Sequence, residues 1–372
     1  MKQKLIPLAV ACLLSGAAFA QNNVQVYGRV DVGFTHRGDN IAKGVKSQNS
    51  IGSGMPTSSI IGFTGVEDLG NGLKALFVLE AAIHLDDGNH ADPTGKFFNE
   101  QAFVGLTGGF GTAIAGRLIT PRHSFLAAID PFAAGTVGQY RNVFGINGRD
   151  VGIYADVDRV DNTVAYVSPS FGGFNVTAAY ATNAIAQEGA STLGLPAQID
   201  NDGDAKTIAL LPRYTNGPLD VGVSYQRIKI RDAGGLGISP KITQWTVGGT
   251  YDFKVVKLGA YYDRAKANED FVVSPVVDGK LSTWGLGVTV PFGKHAIQAS
   301  YNRSKLKADA IDDGLARQWA VGYTYSFSKR TSAYAAYSKL KNGDDRYTDV
   351  GDATNGGDGY QNGLQLGLRH SF

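Results

Sequence analysis

The chain has 372 residues, with 35 basic and 33 acidic side chains, 49 glycines, 18 phenylalanines and 17 tyrosines. Abundant glycine and aromatic residues, without long runs of helix formers, favour an all-β fold. The near balance of charge excludes the strongly basic surface that a nucleic-acid-binding protein needs, so no nucleic-acid partner is expected.

The first twenty residues have the pattern of a secretory signal peptide. Two lysines precede an apolar run over residues 5–14, and the small-residue sequence AFA ends at Ala20. We therefore expect cleavage after Ala20, which leaves residues 21–372 as one exported domain with a formal charge of 33 − 33 = 0. The single cysteine, Cys12, lies in the removed segment, so the exported domain would have no disulfide and no thiolate ligand for a metal.

Apolar residues alternate with small or polar residues along most of the exported chain. Near the C-terminus, Leu364, Leu366 and Leu368 fall on one side, whereas Gln365 and Gly367 fall on the other. A period of two predicts β-strands with one apolar face. Sixteen strands are predicted, beginning near residues 24, 57, 73, 96, 111, 162, 173, 205, 219, 241, 255, 280, 294, 315, 331 and 360.

Two features favour a transmembrane barrel over a soluble sandwich. The apolar faces end in aromatic residues such as Trp245, Trp284 and Phe327, and short turns alternate with long connections. After residue 20 no run of eighteen apolar residues predicts a membrane-spanning helix. We therefore predict a sixteen-stranded antiparallel transmembrane β-barrel, which is wide enough to hold water. A surface-exposed β-sandwich adhesin is the alternative, since one apolar face fits a sandwich as well.

The longest connection, residues 118–161, combines apolar and charged residues. Phe125, Phe132 and Phe144 favour burial, whereas Asp158 and Arg159 favour water. A long connection of this composition is usually functional or folded onto the rest of the protein. We predict that it folds into the barrel and narrows the lumen.

Four stretches resemble the general porins of Gram-negative outer membranes, in particular the β-proteobacterial and neisserial branch. They are GFTGVEDLGNGLKALFVLE (62–80), EQAFVGLTGGFGTAIAGR (100–117), DNTVAYVSPSFGGF (161–174) and GLRHSF (367–372). The resemblance implies a homotrimer of sixteen-stranded barrels with an infolded third outer loop, surrounded by outer-membrane lipid and lipopolysaccharide. It implies passive diffusion of ions and small hydrophilic solutes, and recognition of Phe372 by the barrel-assembly machinery.

The same resemblance places the pore constriction. Such porins set basic wall residues opposite acidic residues of the infolded loop, which here assigns Arg29 and Arg117 to the wall, Asp130 to the loop and Glu80 to an inward acidic position. Alternation independently turns Arg29 away from the apolar face. Opposed charges across a narrow aperture discriminate ions by sign, and arginine stays ionised throughout.

The basic cluster of the wall is thinner than the family pattern. Ile60, Ala165 and Val167 stand where related porins often carry arginine. The arginines of the loop, Arg122, Arg141 and Arg149, are therefore candidates for a compensating charge. The preference between anions and cations is left open by these residues.

No motif predicts catalysis, a cofactor or a metal site. The glycine-rich stretch GLTGGFG (105–111) lacks the Lys-Ser or Lys-Thr of a phosphate loop and is interpreted as a hairpin turn. His84 and His90 lie among aspartates, which is more typical of a solvated loop than of a metal site. The sequence does not distinguish a general porin from a substrate-specific channel.

Overall fold

The computed structural model describes residues 23–41, 46–89, 95–144, 157–184, 205–230, 239, 241–268, 279–308, 311–343, 348–351 and 359–372. The expected cleavage after Ala20 and the candidate Arg149 lie outside these residues.

The described residues form seventeen strands, one α-helix and one short 3-10 helix. The strands are β1 (Asn23–Gly38), β2 (Ser47–Ser53), β3 (Ile60–Gly70), β4 (Leu73–Ala82), β5 (Gln101–Gly108), β6 (Gly111–Ile119), β7 (Arg159–Val167), β8 (Phe174–Ala181), β9 (Ala205–Asn216), β10 (Leu219–Ile230), β11 (Lys241–Asp252), β12 (Lys257–Ala267), β13 (Gly279–Phe292), β14 (His295–Ala308), β15 (Ile311–Ser326), β16 (Thr331–Asn342) and β17 (Asn362–Ser371). Helix α1 is Pro121–Ile129, and the 3-10 helix is Tyr140–Phe144. No helix in the described part of the chain is both long and apolar enough to cross a membrane.

The strands close into an antiparallel barrel. β1 pairs with β17, and β2 and β3 pair with consecutive parts of β1, so the seventeen strands fill sixteen positions in the wall. The sixteen-stranded barrel predicted from the alternation is therefore confirmed. Closure leaves no strand edge unpaired, which is the condition for a sheet to sit in hydrocarbon.

The second wall position differs from the prediction. The second strand was predicted to begin near residue 57, but β1 continues to Gly38 and β2 already begins at Ser47. Residues 54–59 then leave the sheet, where Gly54 turns with a φ of 65°. There the Met55 N–H donates to Asp31 Oδ1 at 3.0 Å, and the Met55 carbonyl accepts from the Thr136 N–H at 2.6 Å. The strand is split because this segment bonds to the long connection inside the barrel.

The two faces of the wall meet different surroundings. On β10, Val221 and Val223 are exposed on the outward face, while Ser224 and Gln226 are buried on the inward face. Outward aromatic residues form an outer girdle, which contains the neighbouring pairs Trp245–Tyr262, Trp284–Tyr301 and Trp319–Tyr337 with ring centroids 5.3–5.4 Å apart. A second girdle of outward aromatic residues lies near the short turns. Its members Tyr251 and Tyr325 are six residues, or about 20 Å, from Trp245 and Trp319 on the same strands. This height matches the apolar band of a membrane barrel.

The connection between β6 and β7 folds into the barrel, as predicted. Helix α1 begins at the N-cap Thr120, whose hydroxyl accepts from the His123 N–H at 3.2 Å, with proline at the first helical turn. Phe125, Leu126 and Tyr140 are buried in one cluster with inward aliphatic residues of β10–β16. Helix α1 packs against β8–β12 and the 3-10 helix against β13–β15.

Glycines on the inner wall make room for this infolded loop. A Cβ added at Gly287 would lie 2.5 Å from Pro131 Cδ, and one at Gly322 would lie 2.7 Å from Phe132 Cε1. Non-bonded carbon atoms do not approach each other this closely, so a larger residue at either position would push the loop away from the wall.

Candidate functional site

The infolded loop divides the lumen into a packed side and an open side. The described part of the loop lies against β8–β15 and also contacts β17, where Gln365 Oε1 accepts from the Val137 N–H at 2.9 Å. The inner face of β1 and β3–β7 is therefore the wall that stands opposite the loop. The predicted constriction residues Arg29 and Glu80 belong to this wall. Arg117 pairs with Ala102 and therefore takes an outward position of β6, on the same side of the sheet as Val104.

Arg29 points inward from β1, as alternation predicts. Its guanidinium donates to the Ser58 carbonyl from Nε at 3.1 Å and from an NH2 group at 2.9 Å. It lies within electrostatic range of three carboxylates, Glu100, Glu80 and Asp31, and of a second cation, Arg369. Arg29 and Arg369 therefore place two cations in a part of the inner wall that also holds carboxylates.

Glu80 stands beside this group on β4. One carboxylate oxygen accepts from the Tyr27 hydroxyl at 2.7 Å, and the other accepts from the Gln101 amide at 2.8 Å. Both donors are neutral, so they orient the carboxylate without cancelling its charge. Glu80 is therefore placed beside Arg29 on the wall, rather than across the aperture from it.

A chain of ion pairs continues from the wall to the loop. Arg159 at the start of β7 pairs with Glu100, and its other NH group donates to Asp158 at 2.8 Å. Arg141 of the loop lies 3.6 Å from the same Asp158 carboxylate. Of the three loop arginines proposed from the sequence, Arg141 is thus placed at the wall's charged cluster.

Arg117 belongs to a separate cluster. It donates from Nε to the Asn99 carbonyl at 2.7 Å and from NH1 to Asp161 at 2.6 Å, and Lys96 reaches the other oxygen of Asp161 at 2.6 Å. The strand register shifts beside it, between Gly116 and Leu118. Two cations therefore share one carboxylate here, which leaves a net positive charge.

Asp130 is placed differently from the expectation. The residue is 7% exposed, and its carboxylate accepts the backbone N–H groups of Phe132, Ala134 and Tyr140 at 3.1–3.2 Å. Residues 133, 134 and 136 have positive φ, so the turn leaves N–H groups that need an acceptor. Burial raises the pKa of Asp130 to about 6, against the lowering effect of its three backbone donors. Asp130 folds the loop and does not face the wall arginines.

Arg122 is also not a charge of the aperture. It is fully buried, and its Nε donates to Asp263 of β12 at 3.0 Å. The Thr246 hydroxyl donates to the same oxygen at 2.5 Å, and the guanidinium lies 5.3 Å from the ring centroid of Phe144. The pair links the loop to the wall, because a buried charge needs an opposite charge and hydrogen bonds.

Neutral side chains of the wall hold the loop backbone as well. The Gln318 amide donates to the carbonyls of Gly138 and Gln139 at 3.0 Å each, and the Ser304 hydroxyl donates to Val143 at 2.6 Å. Sequence reasoning missed these residues, together with Glu100, Asp158, Arg159 and Asp161. A signal was present for the wall residues, since long amides at inward positions of a strand predict a polar partner there.

Phe372 lies at the seam where the barrel closes. Its N–H donates to the Gly28 carbonyl at 3.0 Å, and its carbonyl accepts from the Gly28 N–H at 3.1 Å. The ring lies against Gly28, where a Cβ would overlap it. The terminal residue is thus part of the wall and is half exposed on the outward face.

A closed barrel with an apolar outer band, a charged inner wall and a loop inside its lumen defines a channel across a membrane. The family model described as Gram-negative porin matches residues 8–345 of this chain. The chain belongs to the Gram-negative porin family, and it forms a water-filled channel in the outer membrane. The resemblance inferred from the four motifs is confirmed.

Individual relatives agree with this assignment. Outer membrane porin protein 32 of Delftia acidovorans is 32% identical over the whole of both chains. Major outer membrane protein P.IB of Neisseria gonorrhoeae is 31% identical, covering 92% of this chain and 94% of the relative. The solved anion-selective porin from Comamonas acidovorans superposes with a TM-score of 0.76 at 30% identity, covering 95% of this chain and 100% of that one.

Proposed function

We propose that the channel prefers anions, and that Arg29 is the wall residue with the greatest influence on this preference. The observation that supports this proposal is that three carboxylates of the wall region form ion pairs with cations, whereas Arg29 is hydrogen-bonded to a neutral group. Glu100 and Asp158 pair with Arg159, and Asp161 pairs with two cations, whereas Arg29 donates to a neutral carbonyl. Glu80 is bonded only to neutral donors as well, so the preference for anions depends on Arg29 and Arg369 acting together against it, and the solved relative named above is an anion-selective porin.

Arg117 contributes in the same direction but less, because it lies at an outward position of β6 and its charge acts on the lumen only from outside the inner wall. Removing it leaves Asp161 paired with Lys96 at 2.6 Å, so the change in local charge is partly absorbed. Glu80 opposes Arg29 from the same wall and tempers the preference for anions. Asp130 contributes through the shape of the loop, which sets the width of the aperture, and Arg141 extends the charged cluster onto the loop.

Reversal potentials across a salt gradient in planar bilayers test the proposal. Arg29→Ala should shift selectivity towards cations, and Arg117→Ala should shift it less in the same direction. The matched control is Lys294→Ala, which removes one cation from an exposed turn between β13 and β14. An unchanged reversal potential in Arg29→Ala, or an equal shift in the control, would reject the assignment of Arg29.

We also propose that the barrel works as a homotrimer whose contacts lie on the outward face of β1–β8 and β17. Outward residues there are apolar, with Val104 and Leu368 among them. Lipid and lipopolysaccharide would then surround the remaining strands. The barrel-assembly machinery would recognise Phe372 at the seam, and the yield of folded barrel from Phe372→Ala in outer membranes tests that assignment.

A further inference from the structure

Three rows of basic residues cross the outward face of the barrel beyond the outer girdle. The first row is Lys206, Lys229 and Lys241 on β9–β11; the second is Lys266, Lys280 and Lys307 on β12–β14; the third is Arg303, Arg317 and Lys341 on β14–β16. In each row the residues are direct partners on neighbouring strands. We call these nine residues the basic belt.

The basic belt shares its face with the girdle aromatics. Lys266 follows Tyr262 by four residues on β12, and Arg317 precedes Trp319 by two on β15. Side chains two or four residues apart on a strand point to the same side of the sheet. The belt therefore lies outside the barrel, about 7–14 Å beyond the girdle, at the strand ends that carry the long connections. This is the level of lipid headgroups in the outer leaflet.

Each row brings like charges close together. Neighbouring strands are about 4.8 Å apart, so Lys266, Lys280 and Lys307 lie within a width of about 10 Å. Like charges directly opposite each other destabilise a sheet. Among the side chains that the structure describes, no acidic residue occupies an outward position of β10–β16. The second and third rows are thus arranged for an anionic partner from outside the chain.

The basic belt is confined to one side of the barrel. The outward positions of the described parts of β1–β8 contain no lysine at this level, and Arg117, the arginine there, is committed to Asp161 and the Asn99 carbonyl. If basic residues at this level were a general feature of barrel rims, they would be present around the whole circumference. The belt instead follows the strands that face lipid in the proposed homotrimer.

We propose that the basic belt is a binding surface for the phosphate groups of lipopolysaccharide, the anionic glycolipid of the outer leaflet. This assignment rests on the proposed outer-membrane trimer. Three cations in a row match a phosphate dianion, with arginine offering a planar fork of donors and lysine a compact point charge. The girdle below receives the boundary between saccharide and acyl chains. Because the belt supplies the positive charge itself, binding does not require bridging divalent cations.

The second row offers a direct test with a matched control. The belt variant carries Lys266→Gln, Lys280→Gln and Lys307→Gln. The control carries Lys254→Gln, Lys294→Gln and Lys329→Gln, which removes three exposed lysines from the short turns at the opposite end of the strands. Each variant and the wild-type trimer are titrated in neutral detergent containing EDTA with fluorescent lipopolysaccharide, and with the same glycolipid after removal of its phosphates.

We expect the wild type and the control to bind equally, and the belt variant to bind about 100-fold more weakly, at about fivefold for each lysine near an anionic surface. The dephosphorylated glycolipid should bind all three proteins at the weak level of the belt variant. Equal binding by the belt variant and wild type, or equal binding of the two glycolipids, overturns the proposal.

Two further measurements separate the basic belt from the barrel itself. Single-channel conductance of the belt variant should equal that of wild type, because the belt lies outside the lumen. A Lys266→Arg, Lys280→Arg, Lys307→Arg variant keeps the charge and should retain binding, and its binding should weaken as salt is raised. If this arginine variant loses binding of lipopolysaccharide but conducts normally, the proposed role of the basic belt is wrong, whereas the channel function of the barrel still holds.

Discussion

The two halves of the barrel wall differ on both of their faces. The half formed by β9–β16 has the infolded loop packed inside and aromatic and basic residues outside. The half formed by β1–β8 has charged residues inside and mainly aliphatic residues outside. On one half the inner polar residues Ser224, Gln226 and Thr246 are completely buried, whereas Arg29 and Arg159 on the other half are partly exposed.

This difference shows how one repeating pattern serves two purposes. Every strand alternates apolar and polar positions, but the neighbour of each face decides what the polar positions do. Against the loop they donate hydrogen bonds to its backbone, as Gln318 and Ser304 do. Against the lumen they form the charged wall that ions meet. The packed half therefore positions the aperture, and the open half gives it its charge.

The largest effect is expected from separating the loop from the packed half. Arg122→Ala leaves Asp263 buried without this cation, and breaking a buried ion pair costs about 3–5 kcal/mol. We expect the loop to leave the wall, so that single-channel conductance rises and its noise increases. Planar-bilayer recordings of the single variant measure both quantities.

The control for that experiment removes both charges. Arg122→Met combined with Asp263→Leu replaces the pair by apolar side chains, which is often neutral for stability. Conductance should return to the wild-type value. Wild-type conductance and noise in Arg122→Ala alone would show that the remaining contacts of the loop hold it in place.

A somewhat smaller effect tests which half contacts other subunits. Val104 on β5 and Val247 on β11 are both exposed on the outward face, at 62% and 43%. Arginine at a lipid-facing position costs about 2–4 kcal/mol near the midplane in either half. Val104→Arg should also dissociate the homotrimer, because it places a charge in the proposed contact, whereas Val247→Arg should stay trimeric. Size-exclusion chromatography in mild detergent measures the oligomeric state of both variants. A trimer in both would show that the outward face of β1–β8 is not the subunit contact.

The smallest effect concerns the pH dependence of the loop. The folded pKa of Asp130, about 6, lies above its ordinary value of 3.8, so the folded loop binds the proton more tightly than the unfolded loop does. Protonation therefore favours the docked loop as pH falls through about 6 towards 3.8, and this gain is lost as pH rises through about 6. In the wild-type channel, current noise should therefore decrease as the pH is lowered from about 6 to 3.8, because the docked loop becomes more stable.

Asp130→Asn is the matched control, because it keeps the size of the side chain and does not titrate. Its single oxygen can still accept from the Ala134 and Tyr140 N–H groups, and its NH2 group replaces the oxygen that accepts from Phe132. The current noise of this variant should not depend on pH between about 6 and 3.8. An equal pH dependence in Asp130→Asn would assign the titration to another group.

The features that the sequence predicted well depend on local pattern. Strand beginnings at Leu73, Gly111 and Ala205 agree with the alternation to the residue, because a period of two and a turn are read within a few positions. The infolding of the connection after β6 followed from its mixed composition. The start of β5 at Gln101 was missed by five residues, because the segment before it bonds irregularly, with Asn99 accepting from the Ala82 N–H at 2.8 Å.

The misassigned charges depend on distant partners. Arg122 and Asp130 were both interpreted as charges of the aperture, since a charged residue in a loop ordinarily meets water. Arg122 instead finds Asp263, which is 141 positions away in the chain. Asp130 accepts three backbone N–H groups, which the turn with positive φ at residues 133, 134 and 136 brings to one carboxylate.

The sequence by itself determined a sixteen-stranded barrel, its apolar outer band, the infolded loop and the inward direction of Arg29, because alternation and turn spacing are properties of neighbouring residues. Only the tertiary structure decided which charges reach the lumen, which ones hold the loop, and that the basic belt follows one side of the wall. Those outcomes depend on which strands become neighbours when the sheet closes, and closure joins residues that lie far apart in the chain.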